Sequence, residues 1–354
     1  MTPHHPGLPA APQDEQQAAQ HAAQPSAHPR PLVVRIRNWV GDVVLGLPAL
    51  LLLQAQGYQL HIVARGKWAP ALLAGYDWPV LVQPSRLGDK VAQLRELRRQ
   101  CQTLDPAFNR RENAFLLPVS LSSAMEMKLA GLRAVGVAKE GRSPLLARAE
   151  PWATAGHELE RYWDIACRFV GQRLPPPQHI GLLVRATART QAAALLAAQG
   201  ISGRFVMVCP FAGGRAATAD KADKRWPGFE EFVRLAPQRL GLPLVVYPGP
   251  GEHEAARQLY PAARMLEGSD LAVYAALLES AALVVANDTG PGHMAAALGR
   301  PLISLIGPTN AARWAPWGPG VKVLQKPSRD GQTDWPTADE TLALAQQLLQ
   351  ASEG

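Results

Sequence analysis

The chain has 354 residues, of which 47% are hydrophobic and 18% are charged. This length and composition are typical of a soluble globular protein with two domains, each large enough to bury its own core. The three cysteines are scattered, without the spacing of a metal site or a disulfide framework, which indicates a reducing compartment such as the cytoplasm.

The formal charge is +7 at pH 7, and the excess lies in the first half of the chain. Lys and Arg outnumber Asp and Glu by 18 to 12 over residues 31–170, but only by 17 to 15 over residues 171–354. A basic half suits an anionic partner, whether a lipid headgroup, a phosphorylated glycan or a nucleic acid. A basic surface that is merely solvated explains the charge equally well. No nucleic-acid-binding motif accompanies the charge, so we expect no nucleic-acid partner.

Residues 1–30 are rich in His, Pro, Ala and Gln and lack aromatic residues, which predicts a disordered tail. Short β-branched runs then alternate with longer helical stretches, beginning with a strand at 32–36 and a helix at 43–56. This alternation predicts an N-terminal Rossmann-like domain over residues 31–175, built on a parallel sheet. Its most apolar stretch, residues 43–53, is far shorter than the roughly 20 residues of a membrane span.

A proline-rich segment at residues 171–178 breaks the alternation and predicts a connector between domains. The alternation resumes with a helix at 186–199 and continues to a strand at 283–286, which predicts a C-terminal Rossmann-like domain over residues 176–335. An amphipathic stretch within residues 336–354 predicts a last helix that packs on either domain. The predicted fold class is therefore α/β, with two doubly wound domains facing each other across a cleft.

In such sheets, ligands bind where the carboxyl ends of the strands lead into helices. The first loop of this kind holds Gly41, which permits a tight turn, and Asp42, which lies at or near the start of a helix. Asp is a preferred N-cap residue, so one interpretation of Asp42 is purely structural. The other is a general base, a carboxylate that deprotonates an acceptor hydroxyl.

A second loop, residues 287–293, follows a predicted strand directly and combines acid, hydroxyl, glycine and histidine side chains in Asp288, Thr289, Gly290 and His293. A helix that begins there presents unpaired N–H groups and a positive dipole end, which suit a diphosphate. A capped helix with turn glycines is the structural alternative for each residue taken singly.

Two further loops lie in the same half. Residues 210–227 contain paired glycines and Lys224, which is suited to phosphate, but no Walker A or dinucleotide-binding motif. Residues 247–254 end in Glu252 and Glu254, either of which suits a ribose hydroxyl pair or, equally, the first turn of a helix.

These loops, in this order and spacing, resemble glycosyltransferase family 9, the ADP-heptose:lipopolysaccharide heptosyltransferases. The resemblance extends from about residue 32 to 325, and its Trp-Val-Gly-Asp sequence at residues 39–42 is closer to heptosyltransferase II than to heptosyltransferase I. The residues that carry it are at positions 40–42, 47–50, 224–227, 287–290, 293, 295–298, 300–301 and 307–309.

The resemblance implies a GT-B fold and an inverting, metal-independent reaction without a cofactor, in which heptose moves from ADP-heptose to the inner core of lipopolysaccharide. By the same resemblance Asp42 is the base and Lys224 contacts the diphosphate. Donor contacts are expected from Glu254 on the ribose, Asp288 on the heptose, and Thr289, Gly290 and His293 on the leaving group.

The same resemblance assigns the acceptor to the N-terminal domain, with Ser120, Ser122, Lys128 and Arg142 as candidate contacts, although any of these serines also suits a helix cap. It implies a peripheral contact with the cytoplasmic face of the inner membrane. In the loop before Lys224, residues Arg215, Thr218 and Lys221 are alternative diphosphate ligands. A family 9 transferase with another donor sugar, a nucleotide-sugar epimerase of similar two-lobed form and a non-enzymatic nucleotide-sugar binder are the remaining alternatives.

Overall fold

Two parallel β-sheets organise the computed structural model, which describes residues 30–153, 155–212, 224–268, 270–328 and 333–352. The predicted tail, apart from Arg30, lies outside the described residues, as do Arg215, Thr218 and Lys221. Arg30 itself belongs to the first strand, so this strand begins two residues earlier than the predicted strand at 32–36.

The first sheet has the strand order β3-β2-β1-β4-β5-β6, with every described pair parallel. Its central strand reads as a continuous apolar run because helices cover both faces of the sheet. The strands are β1 (Arg30–Arg35), β2 (Tyr58–Ala64), β3 (Val80–Val82), β4 (Ala114–Leu116), β5 (Ala134–Val137) and β6 (Arg148–Glu150).

The helices of this domain alternate with the strands, as the sequence predicts. They are α1 (Val40–Ala55), α2 (Ala69–Leu72), α3 (Leu87–Leu104), α4 (Leu121–Leu129) and α5 (Glu158–Val170), with short 3₁₀ turns at Phe108–Arg110 and Ser143–Leu145. One face of the sheet is covered by α1 and α5, and the other by α3 and α4. The helix α5 begins with a capping box between His157 and Glu160 and ends at Gly171.

The second sheet repeats this architecture in the order β12-β11-β10-β7-β8-β9, again with parallel neighbours. Its strands are β7 (Val206–Cys209), β8 (Leu244–Val246), β9 (Arg264–Met265), β10 (Leu283–Asn287), β11 (Leu302–Leu305) and β12 (Val321–Leu324). Its helices are α6 (Ala186–Ala198), α7 (Phe229–Leu240), α8 (His253–Leu259), α9 (Leu271–Ser280), α10 (Gly290–Ala297), α11 (Ala311–Trp314) and α12 (Ala338–Ala351).

The last helix, whose packing the sequence leaves open, joins the second sheet. Its buried side chains Leu342, Ala345 and Leu349 share a core with Phe232 of α7. The structure therefore confirms the α/β class with two doubly wound sheets. The exact domain boundaries stay predictions. No described helix is both long and apolar enough to cross a membrane.

The two sheets contact each other through loops and helix ends. Tyr76 Oη donates a hydrogen bond to the carbonyl of Gly181 at 2.8 Å. An ion pair of 3.0 Å joins Arg313 of α11 to Glu158, whose side chain at the start of α5 is 1% exposed. These contacts join the two domains directly.

A buried acid stabilises the first domain near the carboxyl ends of its strands. Glu126 of α4 is 1% exposed, and its carboxylate pairs with Arg65 and Lys90 at 3.2 Å each. Its other oxygen accepts a hydrogen bond from Gln83 at 3.3 Å. Burial and the neighbouring Arg65 lower the pKa of Arg35 to about 10, and Glu126 opposes this effect.

The substitution Glu126→Gln should lower the free energy of unfolding by about 3 kcal/mol, because it leaves buried positive charge uncompensated. Urea denaturation followed by circular dichroism measures this change. The matched control is Glu96→Gln on the exposed face of α3, where loss of the pair with Arg99 should cost less than about 1 kcal/mol. Equal effects of the two substitutions would contradict the role of the buried network.

Candidate active site

The first candidate loop connects β1 to α1 and places Asp42 in the first turn of that helix. Trp39, with extended backbone angles and no side-chain hydrogen bond, occupies the N-cap position. Asp42 is the third helical residue, so the interpretation of Asp42 as an N-cap is wrong. The Asp42 carboxylate therefore does not serve as the N-cap of α1.

Two donors converge on one oxygen of this carboxylate. Asp42 Oδ1 accepts hydrogen bonds from Arg37 Nε at 3.2 Å and from Tyr162 Oη at 3.1 Å. The Asp42 side chain is 9% exposed. Among the described residues none donates to Oδ2, so the second oxygen is available to a ligand.

The two donors keep their protons. Burial and the nearby Asp42 raise the pKa of Tyr162 well above its ordinary value. Burial opposes the charge on Arg37, but Tyr162, Asp42 and Glu158 outweigh this and raise its pKa. Tyr162 was missed by the sequence analysis because it lies 120 positions from Asp42, on a helix that no motif marks.

The second candidate loop connects β10 to α10, and its first residue anchors two other loops. Asn287, which is fully buried, accepts a hydrogen bond from the backbone N–H of Trp226 at 2.9 Å and donates one to the carbonyl of Pro210 at 2.8 Å. Both ends of the loop that carries Lys224 are thereby tied to the carboxyl end of β10. We infer that Asn287 positions the site rather than binding a ligand.

Asp288 forms the charged centre of this loop. Its Oδ2 lies 3.0 Å from Lys224 Nζ, and its Oδ1 lies 3.8 Å from His293 Nε2. Burial raises the pKa of the Asp288 carboxyl, but His293, Lys224 and Thr309 outweigh that effect and lower it to about 2. Asp288 is therefore an ionised acceptor. The structure brings together the predicted donor residues Lys224, Asp288 and His293.

The N-termini of α1 and α10 meet across the cleft. A Cβ atom added to Gly41 would lie 2.6 Å from His293 Cδ2, and one added to Gly290 would lie 2.9 Å from Val40 Cβ. Neither helix has a side-chain cap, and the Thr289 hydroxyl instead donates to the carbonyl of Asn287 at 3.4 Å. Unpaired first-turn N–H groups of two helices therefore converge, which suits an anionic ligand.

The two candidate ribose ligands occupy different surroundings. Glu252 precedes α8, and its Oε2 accepts a hydrogen bond from the Gly249 N–H at 2.8 Å. Glu254 lies on the outer face of α8 with a side chain that is 73% exposed, and it accepts a hydrogen bond from Gln258 at 2.7 Å. The ribose contact of Glu254 stays a prediction, and Glu252 lies deeper in the loop.

The predicted acceptor residues divide into two groups, of which Ser120 and Ser122 lie at the cleft edge. Ser120 caps α4 by accepting a hydrogen bond from the Ser123 N–H at 3.4 Å, so the capping alternative holds for this serine. Ser122 is half-buried and donates to the Ser120 hydroxyl at 3.3 Å. Their direct contact with an acceptor stays a prediction.

Arg142 and Lys128 are placed differently from the expectation. Arg142 has no exposed surface, and its guanidinium donates to the carbonyls of Val137 and Pro118 at 2.8 and 2.6 Å, so it holds the loop after β4 instead of facing an acceptor. Lys128 is exposed in the last turn of α4. A helix that follows a parallel strand runs back toward the opposite sheet edge, which carries Lys128 away from the cleft.

The described residues contain no group of three or more His, Cys, Asp and Glu side chains arranged to hold a metal ion. The positive groups that the structure gathers at the second loop are Lys224 and the first turn of α10.

Comparison with known proteins decides the family. The model of glycosyltransferase family 9 (heptosyltransferase) matches residues 108–335, more than half of the chain. The chain belongs to glycosyltransferase family 9. It is a glycosyltransferase, and all three candidate loops of the second domain lie within the matched region.

Two bacterial relatives agree with this assignment. The chain is 27% identical over 310 residues to lipopolysaccharide heptosyltransferase 2 of Escherichia coli (strain K12), a match that covers 81% of this chain and 86% of the relative. Lipopolysaccharide heptosyltransferase 2 of Salmonella typhimurium is also 27% identical, with the same coverage.

Solved structures confirm the GT-B fold. The structure of E. coli ADP-heptose lps heptosyltransferase II matches with a TM-score of 0.74 at 24% identity and covers 92% of this chain and 100% of its own. The E. coli heptosyltransferase WaaC with ADP-2-deoxy-2-fluoro heptose matches with a TM-score of 0.65 at 21% identity, covering 90% and 99%.

The close approach of α1 and α10 predicts unequal effects of alanine at two matched glycines. Gly41 and Gly88 are each the second residue of a helix, but a Cβ on Gly88 meets nothing within 4 Å. Gly88→Ala should raise the free energy of unfolding by about 0.5 kcal/mol, whereas Gly41→Ala should lower it by about 1–3 kcal/mol through overpacking against His293.

Urea denaturation measures both changes, and small-angle scattering reports whether Gly41→Ala separates the domains. A Gly41→Ala protein as stable as Gly88→Ala, with an unchanged radius of gyration, would contradict the observed contact.

Proposed function

We propose that this glycosyltransferase moves heptose from ADP-heptose to the inner core of lipopolysaccharide, by an inverting and metal-independent reaction at the cytoplasmic face of the inner membrane. Support comes from the names of the relatives, which are lipopolysaccharide heptosyltransferases, and from a solved relative with an ADP-heptose analogue. The observation that carries the proposal is the meeting of Asp42 with the donor loop through the contact of Gly41 and His293.

The donor half of the reaction falls to the second domain. As the bond between the heptose carbon and the diphosphate breaks, negative charge develops on the leaving ADP. Lys224 and the uncapped first turn of α10 offer positive charge and fixed N–H dipoles, which stabilise such charge without a divalent ion. Thr289, Gly290 and His293 line the leaving group, and Glu254 contacts the ribose.

Asp288 holds the sugar in this scheme. Its carboxylate is buried and ionised, so it accepts hydrogen bonds from heptose hydroxyls while it holds Lys224 in place. In this pair of opposite charges, Asp288 faces the sugar and Lys224 faces the diphosphate.

Asp42 activates the acceptor from the first domain. Arg37 and Tyr162 occupy Oδ1, and Oδ2 takes the proton of the acceptor hydroxyl as its oxygen attacks the sugar carbon. The electron pair of the broken bond leaves with ADP. Because base and leaving group belong to opposite domains, attack from the face opposite the diphosphate inverts the configuration in one step.

Replacing Asp42 with Asn should lower kcat by at least about a hundredfold, as loss of a general base does. The dissociation constant of ADP-heptose should stay within about twofold, because the donor residues belong to the other domain. Mass spectrometry of products from ADP-heptose and truncated core glycolipids, with EDTA present, measures transfer, and calorimetry measures donor binding.

The same assay decides between the alternatives for this chain. ADP release that is identical with and without the glycolipid would overturn the transfer reaction, and loss of transfer in EDTA that Mg²⁺ restores would overturn metal independence.

Removing the Tyr162 hydroxyl predicts a change in the pH dependence of the reaction. Tyr162→Phe keeps the buried ring but withdraws a hydrogen bond from the ionised form of the base. We therefore expect the acidic limb of the kcat/KM profile to shift toward higher pH. The control is Tyr58→Phe, which removes a hydroxyl that accepts a hydrogen bond from Arg30 at the other end of β1. Equal profiles for both variants would contradict the positioning role of Tyr162.

A further inference from the structure

The outward face of α4 carries an apolar stripe. Leu121, Met125 and Leu129 are 45%, 36% and 47% exposed and are spaced four residues apart, which confines them to an arc of about 80° on the helix. The inward face of the same helix is also apolar, with Ala124 and Met127 fully buried against the sheet. A helix that only covers a sheet carries polar residues on its outer face, so the exposed apolar stripe indicates a binding surface.

A basic groove adjoins this apolar stripe. Arg95, Arg98 and Arg99 of α3 line it together with Gln102 and Asn109. Arg95 donates a hydrogen bond to the carbonyl of Leu129 at 3.1 Å, and Arg98 reaches the carbonyl of Ala130 at 3.4 Å. The groove therefore lies directly beside the end of the stripe.

The charge around the stripe is predominantly positive. Lys128 of α4 is also exposed, and Arg99 is paired with the exposed Glu96. Four of the five charged side chains named on this surface are therefore positive. Part of the positive excess in the first half of the chain therefore lies on this exposed surface.

We propose that the apolar stripe and the basic groove dock the first domain on an anionic lipid bilayer. The leucine and methionine side chains enter the headgroup region, while the arginines and Lys128 attract anionic headgroups. The stripe is about 12 Å long, too small for a stable protein interface, which buries roughly 1,600 Å². A lipid surface needs only a few apolar side chains when basic residues flank them.

The location of the stripe fits a lipid-linked acceptor, and to this extent the inference rests on the proposed function. Leu121 directly follows Ser120, the N-cap residue at the cleft edge, and the stripe extends from there along α4. Docking by this surface places the cleft beside the membrane, where the glycan of such an acceptor emerges.

Sedimentation of the full chain with vesicles tests the docking surface. We expect binding to vesicles of phosphatidylglycerol and phosphatidylethanolamine, and at least tenfold weaker binding to pure phosphatidylcholine. Two variants should each weaken binding to the anionic vesicles at least fivefold. One replaces Leu121, Met125 and Leu129 with Gln, and the other carries Arg95→Gln and Arg99→Gln.

Matched substitutions on the second domain serve as controls. Leu259 and Val323 are 38% and 39% exposed, and their replacement by Gln should leave vesicle binding unchanged. Arg234→Gln with Arg264→Gln is the corresponding control for charge, since both side chains are exposed. Thermal unfolding of every variant shows whether it is folded.

Equal binding to both kinds of vesicle, or equal loss in the control variants, would overturn the proposal. The proposal would also be overturned if the unmodified chain did not bind vesicles and light scattering showed that it forms a dimer which the stripe variant does not form. The partner of the stripe would then be a second copy of the chain. Vesicle binding requires neither donor nor acceptor, so it stands or fails independently of the transfer reaction. Transfer to a delipidated acceptor should be unchanged in both surface variants.

Discussion

The close contact between two helix N-termini is the constraint on which the site depends. Gly41 of α1 lies against the ring of His293 in α10, and Gly290 lies against Val40. A Cβ atom at either glycine would clash with the facing helix unless part of the contact shifts. Because neither helix is capped by a side chain, their first-turn N–H groups remain available to a ligand, and the cleft favours anions before any charged side chain is considered.

Buried polar groups then fix the charged residues around this contact. Asn287 ties the loop of Lys224 to the end of β10, and Arg142 ties the loop after β4 to β5. Tyr162 and Arg37 orient one oxygen of Asp42. Each of these groups donates to or accepts from backbone or carboxylate in the interior, where an unpaired partner is costly. They hold the two halves of the site at defined positions.

The cleft side and the outer side of the first domain carry different kinds of residues. The carboxyl ends of its strands form the cleft, and near them the buried Glu126 pairs with the buried Lys90 and with Arg65, which is partly exposed. On the outer side, α3 and α4 expose arginines and an apolar stripe together. The positive excess of this half of the sequence is thus divided between a largely buried network and an exposed outer surface.

The sequence by itself determined the alternation of strands and helices and the loops that hold Asp42 and the residues from Asp288 to His293, because apolar periodicity and turn residues are local properties. The helix α6 begins at the predicted residue 186, whereas α1 begins three residues early because the turn after β1 is shorter than predicted. Only the tertiary structure decided that Tyr162 contacts Asp42, that Arg142 is buried and that Lys128 lies at the far end of α4. These three features depend on which distant elements of the chain pack together. The spacing of residues along the sequence does not predict that packing.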